Sequence, residues 1–236
     1  MEINYIGHST LELVDGETRV LIDQFLAPNN PVAKLSADDV EPTHVVLTHA
    51  HQDHYADAIA VGRRTGAFYV AISELANVLD EEGIENFADP NLGGTVEFDW
   101  GWVKLVQALH TSTVPVGERP FSPTTGTVIG AACGAVISLG GKTLYHLGDT
   151  ALFSDLKLIV ERTPVDVAFI PIGGHYTMDR NDAVAAAAFI GAEMVIPIHY
   201  NTFPTIETDA EAFKSDVESL TESKVAVLAP GESLTV

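Results

Sequence analysis

The chain has 236 residues, 46% of them hydrophobic, which is enough to bury the core of one large domain. Its 33 acidic residues against 12 basic ones give a formal charge of −21 at pH 7, which repels nucleic-acid phosphates and anionic membranes. No apolar run approaches the roughly 18 residues of a membrane-spanning helix, and the opening residues lack the pattern of a secretory signal. We therefore expect one domain, residues 1–236, in a cytoplasmic protein without a nucleic-acid or membrane partner.

Apolar runs of strand length, separated by turn residues, organise the first part of the chain. Clusters such as Gly7-His8-Ser9 and Asp15-Gly16-Glu17 mark the turns of an opening strand meander. Predicted strands lie at 3–6, 11–14, 19–22, 45–47 and 67–72. Predicted helices lie at 55–61 and 73–82, ending at Gly62 and Gly83.

The second part of the chain alternates strands with helical segments. Predicted strands lie at 102–109, 131–139, 143–147, 165–170, 194–198 and 225–228. Predicted helices lie at 151–162, at 181–190 and from a capping box at Thr208 and Glu211 to about residue 220. Residues 111–130 show no clear periodicity. A long irregular loop of this kind beside a candidate ligand is often a lid or substrate loop, and a simple surface excursion is the alternative.

The stretch from Thr48 to His54 concentrates side chains that bind metals. Residues His49, His51, Asp53 and His54 directly follow an apolar run, so a strand presents them at its carboxyl end. Imidazole suits zinc, iron, copper and nickel, and a carboxylate adds a harder ligand whose charge stabilises a second cation. The alternative is a polar loop with chance histidines, but this spacing favours half of a metal site.

Further candidate ligands occupy equivalent positions along the chain. Residues that directly follow an apolar, strand-like run are His49, His110, Asp149, His175 and His199. In α/β sheets, ligands collect at the loops that follow the carboxyl ends of strands. We therefore expect these five side chains to meet at one edge.

With these residues in this order, the sequence resembles the metallo-β-lactamase superfamily of binuclear metal hydrolases. The matching pattern is His49-x-His51-x-Asp53-His54, then His110, Asp149 in a Gly-Asp-Thr turn, and His199. Within that superfamily, Gly7-His8-Ser9, Leu21-Ile22-Asp23 and Pro171-Ile172-Gly173-Gly174 resemble a poorly characterised branch of metal-dependent hydrolases related to ascorbate-6-phosphate lactonase.

The resemblance implies an α/β fold, a four-layer αββα sandwich of two similar halves with the metals at the edge where the sheets open. It implies that His49, His51 and His110 hold one metal, that Asp53, His54 and His199 hold a second, and that Asp149 bridges them. Two divalent cations would activate a bridging hydroxide and polarise the bond that it attacks. His51 stands where oxygen-reducing di-iron relatives carry Glu, which favours Zn²⁺ and hydrolysis, with Mn²⁺ and Fe²⁺ as alternatives.

Other residues receive roles around this centre. We predict Asp53 and His175 as catalytic residues, and Asp23 as a carboxylate that orients a ligating histidine. Predicted contacts to the site or to substrate come from His8, Tyr176 and Tyr200, and the backbone amides of Gly173 and Gly174 are further candidate donors. His44 and His146 are predicted to be structural, and Cys133 to be a core residue.

The sequence as a whole predicts a hydrolase that opens an ester-like bond, a lactone or a phosphoester, in a small molecule. One alternative is a phosphodiesterase or ribonuclease on the same scaffold, which the acidic composition disfavours. Another is a metal-binding sensor without turnover, which the complete ligand set disfavours. The sequence determines neither the substrate nor the oligomeric state, and a homo-oligomer is one possibility.

Overall fold

Two seven-stranded mixed sheets form the body of the protein in a computed structural model that describes residues 1–115 and 126–236. The first sheet contains β1 (Glu2–Gly7), β2 (Thr10–Asp15), β3 (Thr18–Ile22), β4 (His44–Val46), β5 (Phe68–Val70), β6 (Phe87–Ala88) and β16 (Glu232–Thr235). The second contains β7 (Thr95–Phe98), β8 (Gly101–Gln107), β11 (Cys133–Leu139), β12 (Lys142–His146), β13 (Val167–Pro171), β14 (Met194–Ile198) and β15 (Lys224–Val225). A separate hairpin pairs β9 (Thr113–Pro115) with β10 (Gly126–Val128).

The strand order brings the carboxyl ends of several strands to the same edge. In the first sheet the order is β16-β1-β2-β3-β4-β5-β6, with β3, β4 and β5 parallel to one another. Strand β2 is antiparallel to both β1 and β3, so β1 and β3 run in the same direction. In the second sheet the order is β15-β14-β13-β12-β11-β8-β7, and β8, β12, β13 and β14 share one direction by the same reasoning.

Helices cover the outer faces of the two sheets. Their bounds are α1 (Gln52–Tyr55), α2 (Ala58–Thr65), α3 (Ser73–Glu81), α4 (Leu156–Glu161), α5 (Arg180–Ile190) and α6 (Ala210–Leu220), with a short 3₁₀ helix at Pro204–Ile206. Helices α2 and α3 pack with the first sheet, and α4, α5 and α6 pack against the second. The predicted four-layer αββα sandwich is confirmed.

Side chains along the strands of the second sheet point alternately to its two faces, so its buried residues belong to two cores. Ala135 and Ile137 on β11 join the core shared by both sheets, whereas Val136 between them joins the core beneath α4 to α6. On β12, Leu144 and Tyr145 divide in the same way. Because successive strand side chains point to opposite faces, a strand covered on both faces buries consecutive apolar residues, as β11 does from Ala135 to Ile137 and β12 does at Leu144 and Tyr145.

No described helix is both long and apolar enough to cross a bilayer.

Several predicted boundaries were wrong for identifiable reasons. In place of the single helix expected at 55–61, the structure has two helices, α1 and α2. Helix α2 continues past Gly62 and is capped by Gly66, whose φ is 67°. Gly62 lies inside α2, where a Cβ would approach Ile84 Cδ1 to 2.6 Å, so this glycine marks close packing and not a helix end. Helix α6 is capped by Asp209, whose side chain accepts from the Ala212 amide at 2.9 Å, and not by Thr208.

The last strands and the long loop also differ from expectation. The strand expected at 225–228 is reduced to β15, and the unpredicted β16 pairs with β1, placing Thr235 opposite Glu2. Both ends of the 111–130 segment are ordered, since β9 and β10 pair and the Ile129 amide donates to Ser112 O at 3.0 Å. The remaining part of the predicted lid or substrate loop, 116–125, lies outside the described residues.

Candidate metal centre

The predicted ligands meet at the edge where the carboxyl ends of strands from both sheets converge. His49, His110, Asp149 and His199 follow β4, β8, β12 and β14, respectively. Backbone hydrogen bonds join the two sheets at this edge: the Cys133 amide donates to Thr48 O at 3.0 Å, and the His199 amide donates to His8 O at 2.8 Å. The edge is therefore a fixed junction that positions side chains from both sheets.

One cluster consists of three histidines. His49 Nε2 lies 3.1 Å from His51 Nδ1, and His110 Nε2 lies 3.3 Å from the same His51 atom. The three candidate ligand atoms lie within 4.8 Å of one another. Three imidazole nitrogens that face a common point are a suitable donor set for zinc. His49 is buried, whereas His51 and His110 are partly exposed, so this cluster opens toward solvent.

A second cluster adds carboxylates to the arrangement. Asp149 Oδ1 lies 3.3 Å from His54 Nε2, and Asp149 Oδ2 lies 3.1 Å from His199 Nε2 and 3.5 Å from His110 Nε2. Asp53 Oδ2 lies 3.7 Å from His199 Nε2. Asp149 therefore faces both clusters, with one oxygen toward His54 and the other toward His110 and His199.

Unsatisfied polar atoms at the centre fit a bound cation. Within the described part of the chain, His54 Nε2, Asp149 Oδ1 and His199 Nε2 are buried and form no hydrogen bond, although they approach one another closely. Burying such groups without partners is costly, and native proteins rarely leave them unpaired. Imidazole nitrogens and carboxylate oxygens that converge in this way suit a divalent metal.

Burial keeps one set of imidazoles neutral. It lowers the pKa of His49 well below the ordinary 6.5, and it lowers that of His51 to about 4. Burial together with the neighbouring His199 lowers the pKa of His8 to about 4. A neutral imidazole has a lone pair available to a metal, so His49 and His51 are ready ligands.

Carboxylates have the opposite effect on the other imidazoles. Burial opposes protonation of His54 and His199, but carboxylates outweigh it: Asp149 and Asp23 hold the pKa of His54 well above 6.5, and Asp149 and Asp53 raise that of His199 to about 9. Burial would raise the pKa of Asp149, but these two histidines hold it well below 3.8. In the metal-free protein, protons on His54 and His199 supply the positive charge that a cation would otherwise bring.

Asp23 is hydrogen-bonded to one candidate ligand and reaches a second through Thr48. His54 Nδ1 donates to Asp23 Oδ2 at 2.6 Å, which points His54 Nε2 toward Asp149. Thr48 donates twice to Asp23, from its amide to Oδ1 and from its hydroxyl to Oδ2, both at 2.8 Å. The Thr48 hydroxyl oxygen in turn lies 3.0 Å from His49 Nδ1, which leaves His49 Nε2 for a ligand. Asp23 thus fixes one histidine directly and another through Thr48.

Backbone conformation marks the same positions. His8, Asp23, His175 and His199 all have positive φ, between 49° and 61°, although none of them is glycine. A left-handed backbone is strained for these residue types and persists where the surrounding structure enforces it. Three of the four, His8, Asp23 and His199, belong to the cluster of contacts just described.

The remaining predicted catalytic and substrate residues lie apart from the clusters. His175 and Tyr176 are exposed after β13, with ring centroids 4.5 Å apart, and within the described residues no hydrogen bond or ion pair joins them to the candidate ligands. Tyr200 is half-buried, and burial with Glu211 nearby raises its pKa. The Gly174 amide donates to Met178 O at 2.9 Å, so the prediction that this amide is open to a substrate is wrong.

The residues predicted to be structural make structural contacts. His44 accepts from Trp100 Nε1 at 3.1 Å and packs among aromatic rings. His146 Nε2 donates to Ser9 O at 3.1 Å, and its Nδ1 accepts from the Gly148 amide. Cys133 is fully buried, and its Sγ lies 3.1 Å from Thr48 O, so it supports the ligand loop from beneath.

Sequence reasoning missed three hydroxyl side chains at the centre. Thr48 links Asp23 to His49, Thr202 lies 2.9 Å from His8 Nδ1, and Thr111 Oγ1 lies 3.4 Å from His51 Nε2. Thr48 and Thr111 adjoin predicted ligands in sequence, which is a usable signal. Thr202 has none, since its contact depends on where the segment after β14 crosses the Gly7-His8-Ser9 turn.

Comparisons with known proteins identify the family of the chain. The family described as the beta-lactamase superfamily domain matches residues 2–199. A "UPF0173 metal-dependent hydrolase" of Shouchella clausii is 44% identical over 234 residues, covering 99% of each chain. A relative with the same description from Natranaerobius thermophilus is 40% identical over 235 residues, again covering 99% of each chain.

A solved structure shows the same architecture. Igni18, a metallo hydrolase from the archaeon Ignicoccus hospitalis, is 36% identical and superposes with a TM-score of 0.86, covering 99% of this chain and 97% of its own. The similarity thus extends over 99% of this chain. None of these comparisons tests the narrower resemblance to ascorbate-6-phosphate lactonase, which stays a prediction.

Proposed function

The chain belongs to the beta-lactamase superfamily and is a metal-dependent hydrolase, and we propose that it opens an ester-like bond in a small molecule. The bond is that of a lactone or a phosphoester. The observation that carries this proposal is the convergence of ligand atoms from separate strand ends into clusters within 4.8 Å. A charge of −21 disfavours polyanionic substrates and so favours a small molecule over RNA.

Two divalent cations fit the donor set. We assign His49, His51 and His110 to one cation, and Asp53, His54 and His199 to the other. Asp149 is the proposed bridge, supported by its two oxygens facing different histidines at 3.1 to 3.5 Å. The predominance of imidazole makes Zn²⁺ the first choice, with Mn²⁺ and Fe²⁺ as the alternatives.

Bound cations would supply Lewis-acid polarisation of the scissile bond and would acidify water at neutral pH. The chain's own residues position these reactants. Asp23 and Thr48 hold the imidazoles of His54 and His49 in fixed orientations, so the donors need not reorganise during turnover. The Asp53 side chain is 20% exposed, so it reaches the open side of the centre, where it can contact a substrate.

Metal analysis and a substrate panel test the proposal together. After purification without chelators, we expect about two equivalents of divalent metal per chain, as a two-metal site requires. The panel contains lactones, carboxylic esters, phosphomonoesters, phosphodiesters and RNA. Activity on lactones or small phosphoesters supports the proposal, and less than one equivalent of metal contradicts it.

Two variants test the metal ligands, and the substrate panel separates the alternative functions. His110→Ala removes a partly exposed ligand, so we expect loss of one metal equivalent and of turnover with the fold retained. His44→Gln is the matched control, because His44 packs among aromatic rings away from the clusters. Turnover confined to RNA or phosphodiesters would indicate the nuclease alternative, and metal binding without any turnover would indicate a sensor.

A further inference from the structure

His8 is a buried histidine whose two ring nitrogens both have polar partners. It lies in the Gly7-His8-Ser9 turn after β1 and is fully buried. Its Nδ1 lies 2.9 Å from Thr202 Oγ1, and its Nε2 lies 3.2 Å from Asp53 Oδ2. The three side chains thus form a chain of contacts that runs from the segment after β14, through His8, to a proposed metal ligand.

The donor and acceptor in each of these contacts follow from the protonation of Asp53 and His8. An ionised carboxylate only accepts hydrogen bonds, so His8 Nε2 must carry the proton that faces Asp53. The Nδ1 of a neutral imidazole is then an acceptor, and the single proton of the Thr202 hydroxyl has two acceptors within reach, His8 Nδ1 at 2.9 Å and the Tyr200 carbonyl at 3.4 Å, of which His8 Nδ1 is the nearer. Asp53 therefore selects the tautomer of His8, and the Thr202 hydroxyl, which can donate or accept, holds the ring from its other nitrogen.

The surrounding structure holds His8 in this position despite backbone strain. Its φ is 61°, and its carbonyl accepts from the His199 amide at 2.8 Å and from the Tyr5 hydroxyl at 3.1 Å. The ring packs between Phe25 and Phe203, with centroids 5.4 and 5.7 Å away. A strained, fully packed residue that contacts a ligand carboxylate is a placement that the fold enforces at a functional site.

We propose that His8, backed by Thr202, is a positioning residue that fixes Asp53 for binding the second cation. The inference rests on the proposed function only in taking Asp53 as a ligand. His8 acts through Asp53 and does not contact the reacting atoms. The competing arrangement is direct ligation, because His8 Nε2 lies within 4.8 Å of ligand atoms of Asp53, His54 and His199.

Zinc affinity separates the two arrangements. We would titrate the metal-free full-length protein with Zn²⁺ against a chromophoric chelator and compare the wild type with His8→Ala, His8→Gln, Thr202→Val and Thr202→Ser. Loss of a group that orients a ligand typically weakens metal binding about 10- to 100-fold, which is the loss expected for His8→Ala at the second site. His8→Gln should recover most of it, because a glutamine amide can still donate to Asp53.

The threonine variants test the support from Thr202 independently of the histidine. Thr202→Val removes the hydroxyl with little change of shape and should weaken the same site less than His8→Ala does, whereas Thr202→Ser should bind zinc as the wild type does. His44→Gln, a histidine replacement away from the centre, should leave zinc affinity unchanged. The Thr202 variants and His8→Gln carry the test by themselves if His8→Ala does not fold.

Cobalt substitution provides a second readout. With saturating Co²⁺, the visible spectrum of His8→Gln should match that of the wild type, because the ligands are the same. A changed Co²⁺ spectrum together with zinc affinity as weak as that of His8→Ala would overturn the proposal in favour of direct ligation. Wild-type affinity in His8→Ala would overturn it as well.

Failure of the positioning role and failure of the proposed function give different results. A wild-type protein that binds two zinc ions but hydrolyses nothing in the panel contradicts the proposed function and leaves the positioning role standing. A wild-type protein that binds less than one zinc ion contradicts both. Unchanged zinc affinity in every His8 and Thr202 variant contradicts the positioning role alone.

Discussion

His54 Nδ1 donates a hydrogen bond to Asp23 Oδ2 at 2.6 Å, with both side chains fully buried. Asp23 accepts three hydrogen bonds on its two oxygens, one from His54 and two from Thr48. Through the Thr48 hydroxyl it also fixes His49, 3.0 Å away. A carboxylate outside both clusters therefore sets the orientation of one imidazole in each proposed metal site.

Asp23→Asn tests this arrangement, because an amide nitrogen cannot accept the hydrogen bonds that one carboxylate oxygen now accepts. We expect zinc affinity to fall about 10- to 100-fold at both sites. The unpaired buried donor should also lower the free energy of unfolding by about 1 to 3 kcal/mol. Chelator competition and denaturant unfolding measure the two effects. Asp99→Asn, at an exposed acid in the turn between β7 and β8, is the control, and equal zinc affinity in both variants would contradict the orienting role.

Metal binding should depend on pH in a direction that the carboxylates set. Asp149 holds the pKa of His54 well above 6.5 and that of His199 at about 9, so in the metal-free protein both imidazoles are protonated at pH 7. A cation must displace these protons, and apparent affinity therefore rises with pH from 7 through the pKa of His199 at about 9. His49 and His51, with lowered pKa values, are neutral at pH 7 and release none.

Calorimetry in buffers of different ionisation enthalpy counts the protons released. At pH 7 we expect proton release on zinc binding, and the release should diminish in His199→Ala. His44→Gln should release as many protons as the wild type. Zinc binding without proton release at pH 7 would show that His54 and His199 are neutral before the metal arrives.

The ligand positions were predictable from sequence because each directly follows an apolar run. Strand direction then determines where these residues lie. Strands β4, β8, β12 and β14 end at a common edge, which brings together His49, His110, Asp149 and His199. The sequence also predicted that Asp23 orients a candidate ligand, and the structure identifies its partner as His54. The same pattern also placed His175 at this edge, but its exposed side chain makes no described contact with the clusters, because strand direction fixes where a residue lies and not where its side chain points.

Other features depend on long-range packing that a single sequence does not display. The sequence of β16, Glu-Ser-Leu-Thr, has little apolar alternation, and its strand character comes from pairing with β1. Gly62 looks like a helix end but lies within α2, where a glycine suits the close packing of Tyr69 and Ile84. The role of Thr202 depends on the path of the chain after β14, which no spacing rule gives.

Gly148 precedes Asp149 and should tolerate no side chain. Its φ is 64°, and a Cβ would collide with the carbonyl oxygen of Cys133. For Gly148→Ala we expect the left-handed conformation to cost about 1 kcal/mol. The backbone clash should add about 1 to 3 kcal/mol, and the shift of Asp149 should weaken metal binding. Denaturant unfolding and zinc titration measure both effects.

Gly16→Ala is the matched control for that variant. Gly16 has a similar φ of 58°, but nothing lies within 4 Å of the position that a Cβ would take there. It should therefore show only the conformational cost and normal zinc affinity. If the two variants were equally stable, the close approach of Cys133 would not matter to the Gly-Asp-Thr turn.

His175 offers a test that separates metal binding from substrate contact. It follows β13, whose carboxyl end lies between those of β12 and β14, but its side chain is exposed and has no described contact with the clusters. We expect His175→Ala to keep full metal content, because no ligand depends on it. As a donor to the developing negative charge on the substrate, its loss should lower kcat roughly 100-fold.

Tyr176→Phe is the companion variant, since Tyr176 is 54% exposed and packs against His175 with ring centroids 4.5 Å apart. It removes a hydroxyl and leaves the ring contact in place. If His175 is the donor, His175→Ala lowers kcat and Tyr176→Phe does not. If only Tyr176→Phe is impaired, the donor is the phenol and His175 serves to orient it. Normal turnover in both variants would place the donor elsewhere, with Tyr200 the next residue to replace.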